Sequence, residues 1–171
     1  MRLLIFGAGG YGRTVADVAE QSGRYTEIAF LDDNATGAHV LGKCGDYARF
    51  ADGNTEMYPA FGNNEGRIRW LDTLQQAGIP VPTLVHPRAY ISPKARLEAG
   101  VVVLPFAVVN TECVVQRGCI VNIGALVDHG CVLEEGVHVS PGGIVKAENR
   151  IPARMKIESG QMIPNRTYYP V

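Results

Sequence analysis

A chain of 171 residues with 16 basic and 17 acidic side chains carries a net charge of −1, which leaves no basic field to attract nucleic acid or anionic lipid. No apolar run reaches membrane-spanning length, and the apolar opening Met1 to Phe6 runs straight into glycines, without a signal peptide's longer apolar stretch or small-residue cleavage site. The length fits one large or two small domains, with no nucleic-acid or membrane partner, and a cytoplasmic location is expected.

In chain order, Arg2 to Phe6 reads as a buried strand that leads into G-A-G-G-Y-G at Gly7 to Gly12. A helical pattern follows over Thr14 to Gln21 (Val15, Val18, Ala19), and a second strand over Glu27 to Leu31 is closed by Asp32 and Asp33. This is a βαβ unit with G-x-G-x-x-G at its first turn and an acid twenty residues after the last glycine. Glycines there let backbone N–H groups approach a phosphate, which the positive end of the following helix also favours. Asp32 is placed to accept from a ribose hydroxyl or a base. The same glycines equally serve a tight turn, and the two acids a polar strand end.

Met57 to Phe61 predicts a third strand, followed by Gly62 to Glu65 and an amphipathic helix through Ala77. Asn63 and Asn64 either cap that helix or touch a ligand at the strand ends, capping being the better reading for one of them. Gly78 to Pro82 reads as a turn, Thr83 to Val85 as a fourth strand, and His86-Pro87 as the passage onward. A Rossmann-like α/β domain is thus expected over residues 1–86, and the join, without a Ser/Gly-rich linker, predicts domains packed against each other rather than tethered.

From Arg88 to Asn165 an aliphatic residue returns at every sixth position, thirteen times from Ile91 to Ile163, with a mostly small column two residues earlier (Ala89, Ala95, Val101, Ala107 and onward). Helical faces recur at 3.6 and strand faces at two, so six residues make one short strand plus one corner. Such blocks stack as a parallel β-helix, here expected over 87–171, because no coil can bury its apolar face alone. Glycine in the first place of many blocks suits corners that need unusual backbone angles. Cys113, Cys119 and Cys131 fall in the small inward column and read as core filler, with free thiols and no metal expected. Near the end the small column breaks at Asn149, Met155 and Gln161, and Pro152 and Pro164 interrupt. A shortened solenoid is expected, with an irregular cap ending in Thr167-Tyr168-Tyr169-Pro170.

Taken together, L-L-I-F-G-A-G-G-Y-G, F-L-D-D, F-G-N-N-E, the hexapeptide run and N-I-G-A-L-V-D-H-G-C-V resemble the sugar acetyltransferases of the bacillosamine and sialic acid pathways. The resemblance implies a Rossmann-like nucleotide-sugar domain joined to a left-handed β-helix, and acetyl transfer from acetyl-CoA to an amine or hydroxyl of a nucleotide-linked sugar in surface-glycan biosynthesis. It also implies a homotrimer with active sites between subunits. By the same resemblance the nucleotide-sugar lies on Gly7, Gly9, Gly10, Tyr11, Gly12, Asp32 and Asp33, with Gly62 and Asn63 lining the same crevice. His129 matches the catalytic histidine, which as a neutral imidazole can take a proton while the acceptor attacks the thioester. Asp128 would orient it, Asn122 matches an asparagine near the base, and His138 a second histidine in the cleft.

The sequence also departs from the family's pattern. Tyr11 stands where relatives often have His, and Gly130 where Asp or Glu commonly follows the base. Lys146, Ala147 and Glu148 replace a small-Gly-Asn step, and fewer regular coils follow. Read from the residues alone, His129 and His138 are equally solvated outward positions, and Asp128 an ion-pair partner of Lys146 one coil above. The alternative function is therefore a trimeric nucleotide-sugar-binding protein that has lost CoA binding. An NAD-dependent oxidoreductase would fit the glycines, yet the solenoid leaves no room for a catalytic domain.

Overall fold

The computed structural model describes residues 1–169 and divides the chain into two compact units, Met1–Leu84 and Val85–Val171. Pro170, expected to end the cap, lies outside the described residues.

The first unit is a parallel sheet of β1 (Arg2–Phe6), β2 (Glu27–Leu31), β3 (Val40–Gly42) and β4 (Thr55–Pro59) in the order β3-β2-β1-β4. The continuous apolar run Leu3–Phe6 is fully buried, as a central parallel strand requires. Helix α1 (Gly10–Gln21) begins four residues before the expected Thr14, because Arg13 N already donates to Gly9 O and the Gly-rich turn itself forms the first helical turn. Helix α2 (Asn64–Gln76) starts on Asn63, whose side chain accepts from Gly66 N at 2.7 Å. Two elements had no sequence signal: β3, only three residues long, and a 3-10 turn over Cys44–Phe50. That turn buries Cys44 and sets Tyr47 edge-on to Trp70, which in turn meets Phe6 at 5.0 Å.

The expected fourth strand of this sheet is corrected. Only Leu84–Val85 (β5) is extended, and it lies at the end of a solenoid sheet. The outer edge of β4 receives Pro80 instead, whose carbonyl accepts from Met57 N at 3.0 Å. Proline has no N–H to continue such a ladder.

In the second unit each hexad gives one two-residue strand, thirteen in all from Tyr90–Ile91 to Met162–Ile163. Every strand pairs in parallel with the one eighteen residues away, as Val108 with Tyr90 and Leu126 with Val108. Three hexads therefore close one coil of a left-handed parallel β-helix with three flat faces. We number the faces by chain entry: the first holds Leu84–Val85, Ile120–Val121 and His138–Val139, the second Tyr90–Ile91 and Leu126–Val127, the third Arg96–Leu97 and Val132–Leu133. The fourth-place aliphatics from Val103 to Ile163 are at most 4% exposed and fill the core with the small column.

Corners decide where the chain can turn. From Gly100 to Arg166 all twelve first places of the hexads have positive φ, seven of them glycine and five not (Phe106, Glu112, Glu148, Arg154, Arg166). A residue with a Cβ costs about 1–2 kcal/mol in that conformation, so the seven glycines remove most of the strain. Pro152 and Pro164 fall in corners too, and the strands Arg150–Ile151, Lys156–Ile157 and Met162–Ile163 form around them. The prolines thus leave the coil unbroken, contrary to the expected interruption.

The broken small column makes the cap. Asn149, fully buried, donates to Lys146 O and Pro164 O at 2.7 and 2.8 Å and accepts from Tyr168 N at 2.9 Å. Tyr168 O then takes Arg150 N at 2.7 Å, so the tail covers the edge that the last third-face strand would leave open. Replacing Asn149 by Ala removes all three bonds and leaves Tyr168 N without its acceptor, which should cost about 1–3 kcal/mol and be read as a lowered denaturant midpoint; an unchanged midpoint would mean the cap does not depend on it.

Candidate active site

The carboxyl ends of β1, β2 and β4 gather the Gly-rich turn, the Asp32 loop and Gly62-Asn63 at one end of the parallel sheet, the usual place for a ligand crevice. The glycines divide their work. Gly7 turns the chain at φ 98°. Gly12 lies so close beneath it that a Cβ would stand 1.8 Å from Gly7 O, so helix and turn can pack only with glycine there. Gly9, Gly10 and Gly62 have nothing within 4 Å of an added Cβ, and no side chain caps the start of α1. These are the positions whose backbone a ligand can approach.

Asp32 is engaged by the protein. Its Oδ2 accepts from Ala8 N at 2.7 Å, while Oδ1 accepts from Asn34 N and Ala35 N at 2.8 and 2.7 Å. Those amide bonds hold its carboxyl below the usual range. It therefore ties the Gly-rich turn to the loop after β2, with acceptor capacity left for a hydroxyl. Asp33 Oδ1 accepts from Cys44 N at 3.0 Å, and both acids edge a hollow of about 380 Å³ that also includes Thr36 and Lys43. The Tyr11 hydroxyl is 3.1 Å from that of Tyr58, and burial pushes its pKa well up. Its hydroxyl is thus engaged by the protein. Asn63 uses its side-chain oxygen as the α2 cap and keeps its amide N–H groups for other partners.

In the solenoid the expected residues fall into two clusters. Asp128, His129 and Gly130 form the corner between the second and third faces; Asn122 forms the corner between the first and second, and His138 lies on the first face. A full strand, Leu126–Val127, separates them, so one chain does not bring Asn122 to His129. Asn122 instead puts its Nδ2 3.0 Å from His138 Nε2, and its Oδ1 accepts from Ile123 N at 2.8 Å. With that oxygen spent on the backbone, Nδ2 is the donor and His138 Nε2 the acceptor.

The His129 ring is exposed. Asp128 turns Oδ1 onto His129 N at 2.7 Å and also accepts from Asn110 Nδ2 at 3.1 Å. These bonds, with the nearby Lys146 charge, hold the Asp128 carboxyl low. Asp128 therefore fixes the backbone of the corner.

Two hollows flank this corner. One, of about 340 Å³, runs up the second face between Val108, Leu126, Ile144 and Met162, with Asn110 and Lys146 on its edge. The other, of about 360 Å³, is lined by His129, Ala147, Glu148, Asn165 and Arg166. Sequence reasoning missed Glu148, Asn165, Arg166 and Asn110; the eighteen-residue coil period would have found them, since it stacks 129 under 147 and 165, and 130 under 148 and 166. Among the described residues no group of three or more His, Cys, Asp or Glu could hold a metal ion.

Comparison with known proteins places the fold among acetyltransferases. The family model "PglD N-terminal domain" matches residues 2–74. The acetyltransferase domain of PglB from Neisseria gonorrhoeae FA1090 is 36% identical and superposes at a TM-score of 0.92, over 94% of this chain and 81% of that one. Its structure in complex with acetyl coenzyme A matches equally, at 0.92. A mutant perosamine N-acetyltransferase from Caulobacter crescentus, in complex with CoA and GDP-perosamine, shares the fold at a TM-score of 0.81 and 24% identity, over 91% of this chain and 73% of that one.

The Asp32 bonds predict a pH dependence. A carboxyl held low by folding contributes stability above its unfolded pKa, and that contribution is lost as pH falls through the folded value. Replacement of Asp32 by Asn should lower the urea midpoint at neutral pH, and the gap to wild type should close below about pH 4; a gap constant across that range would contradict the assignment.

Proposed function

The chain belongs to the sugar acetyltransferases that join a PglD-type N-terminal domain to a hexapeptide-repeat β-helix, and from that premise we propose that it moves an acetyl group from acetyl-CoA to an amine or hydroxyl of a nucleotide-linked sugar in surface-glycan biosynthesis. The observation that carries this reading is the position of His129: an exposed imidazole between an apolar groove and a polar hollow. The groove suits a narrow, mostly apolar arm carrying amides, for which Asn110 and Lys146 supply edge contacts. The thioester supplies the acetyl group.

His129, neutral at the outset, takes the proton from the acceptor nitrogen or oxygen as that atom bonds to the acetyl carbon. The carbon–sulfur bond breaks, and the imidazolium returns the proton to the leaving sulfur. In the N-terminal unit the open backbone at Gly9, Gly10 and Gly62 would receive phosphate, and the hollow beside Asp32 and Asp33 the nucleoside.

The reading includes a homotrimer. Outward along the second face runs an apolar column, Tyr90, Val108, Leu126, Ile144 and Met162, with Tyr90 and Met162 each 55% exposed. It separates the His129 corner from the Asn122–His138 pair. Three copies joined head to tail in a closed ring would cover apolar surface and set the His129 corner of one beside the Asn122–His138 pair of the next.

His129→Ala should lower turnover, followed by release of free CoA thiol, at least about a hundredfold while the protein stays folded; retained turnover would remove the mechanism. Co-refolding His129→Ala with Asn122→Ala copies should restore about a quarter of wild-type turnover, the fraction of composite sites with both groups intact in a random ring. No recovery from the mixture would rule out a site composed of His129 from one copy and Asn122 from the next.

A further inference from the structure

Gly130, next to His129, turns its corner at φ 64° and offers no side chain. The side chain nearest to that place comes from the coil above: a Cβ built on Gly130 would lie in van der Waals contact with Glu148 Cγ, at 3.6 Å. Glu148 N also donates to His129 O at 3.1 Å, so the two residues are bonded directly across the coils. One coil further, Arg166 Nε donates to Glu148 Oε2. All three side chains face the same hollow. Among the described residues Oε1 of Glu148 takes no hydrogen bond.

Glu148 is held at φ 56°, a conformation that disfavours any residue with a Cβ, in a place that glycine fills in seven other corners. The charged groups around the His129 corner are Asp128, Lys146, Glu148 and Arg166, with the exposed Glu112 one coil below Gly130. Asp128 is committed to the His129 amide and to Asn110, with Lys146 beside it. Arg166 holds the Glu148 carboxyl below the usual range, which keeps it anionic.

We propose that Glu148, reaching down from the next coil over Gly130, is the positioning carboxylate of His129. It orients the imidazole and stabilises the imidazolium formed once His129 has taken the acceptor's proton. The inference rests on His129 being the base.

The test compares Glu148→Gln, Glu148→Gly and His129→Ala in the intact protein, by pH–rate profile and thermal melting. Both Glu148 variants should lose kcat at least about tenfold with KM for donor and acceptor within about twofold. The acid limb of kcat/KM should move to lower pH, because an imidazolium without its anion gives up its proton more readily. Glu148→Gly, relieved of the positive φ, should melt at or above the wild-type temperature while still losing kcat, an outcome that a structural ion pair with Arg166 would not produce. Unchanged kcat and acid limb in both variants, with His129→Ala inactive, would overturn the role of Glu148 alone. Retained turnover in His129→Ala would overturn the base assignment, and this inference with it.

Discussion

The solenoid depends on a backbone constraint repeated twelve times: a positive φ at every sixth residue from Gly100 to Arg166. That turn lets two-residue strands meet at corners and close a coil in eighteen residues. Closure in a whole number of hexads stacks identical places, and everything on the surface follows. Inward columns become a core of aliphatic and small residues; outward columns become strips of one chemistry. The strip Asn110–Asp128–Lys146 edges the apolar groove, His129 stands under Ala147 and Asn165, and Gly130 stands under Glu148 and Arg166. A function built on such a scaffold is assembled from residues eighteen apart rather than from a contiguous motif.

The N-terminal unit reaches its site by a different economy. Its turn needs Gly7 for conformation and Gly12 for contact, which leaves Gly9 and Gly10 open. Asp32 then fixes that turn through backbone amides on both sides of the crevice. Its carboxylate preorganises the loops, so binding would not have to order them. The mutual contact of the Tyr11 and Tyr58 hydroxyls likewise ties α1 to β4.

Periodicity alone makes the solenoid legible: the hexad phase marks every strand from Tyr90 to Ile163, because burial at one place in six admits no other arrangement. The βαβ unit is legible from its glycines and acids. What escapes are elements whose cause is tertiary. The 3-10 turn Cys44–Phe50 has no periodic face and exists through Phe6 and Trp70. Thr83–Val85 reads as a fourth strand of the first unit, yet Leu84–Val85 pairs in the solenoid while Pro80 takes the β4 edge. At the site, the residue types at 128, 129 and 130 are readable, whereas the engagement of Asp128 with its own backbone and the descent of Glu148 over Gly130 depend on side-chain rotamers that no spacing specifies.

The second-face groove beside His129 is proposed to serve an acyl donor. Calorimetric titration of the purified protein with acetyl-CoA, alongside a nucleotide-linked sugar, tests it most directly. Saturable binding of both is expected. Saturable binding of the nucleotide-sugar with none of acetyl-CoA would contradict it, and would leave a nucleotide-sugar-binding protein on an acetyltransferase scaffold.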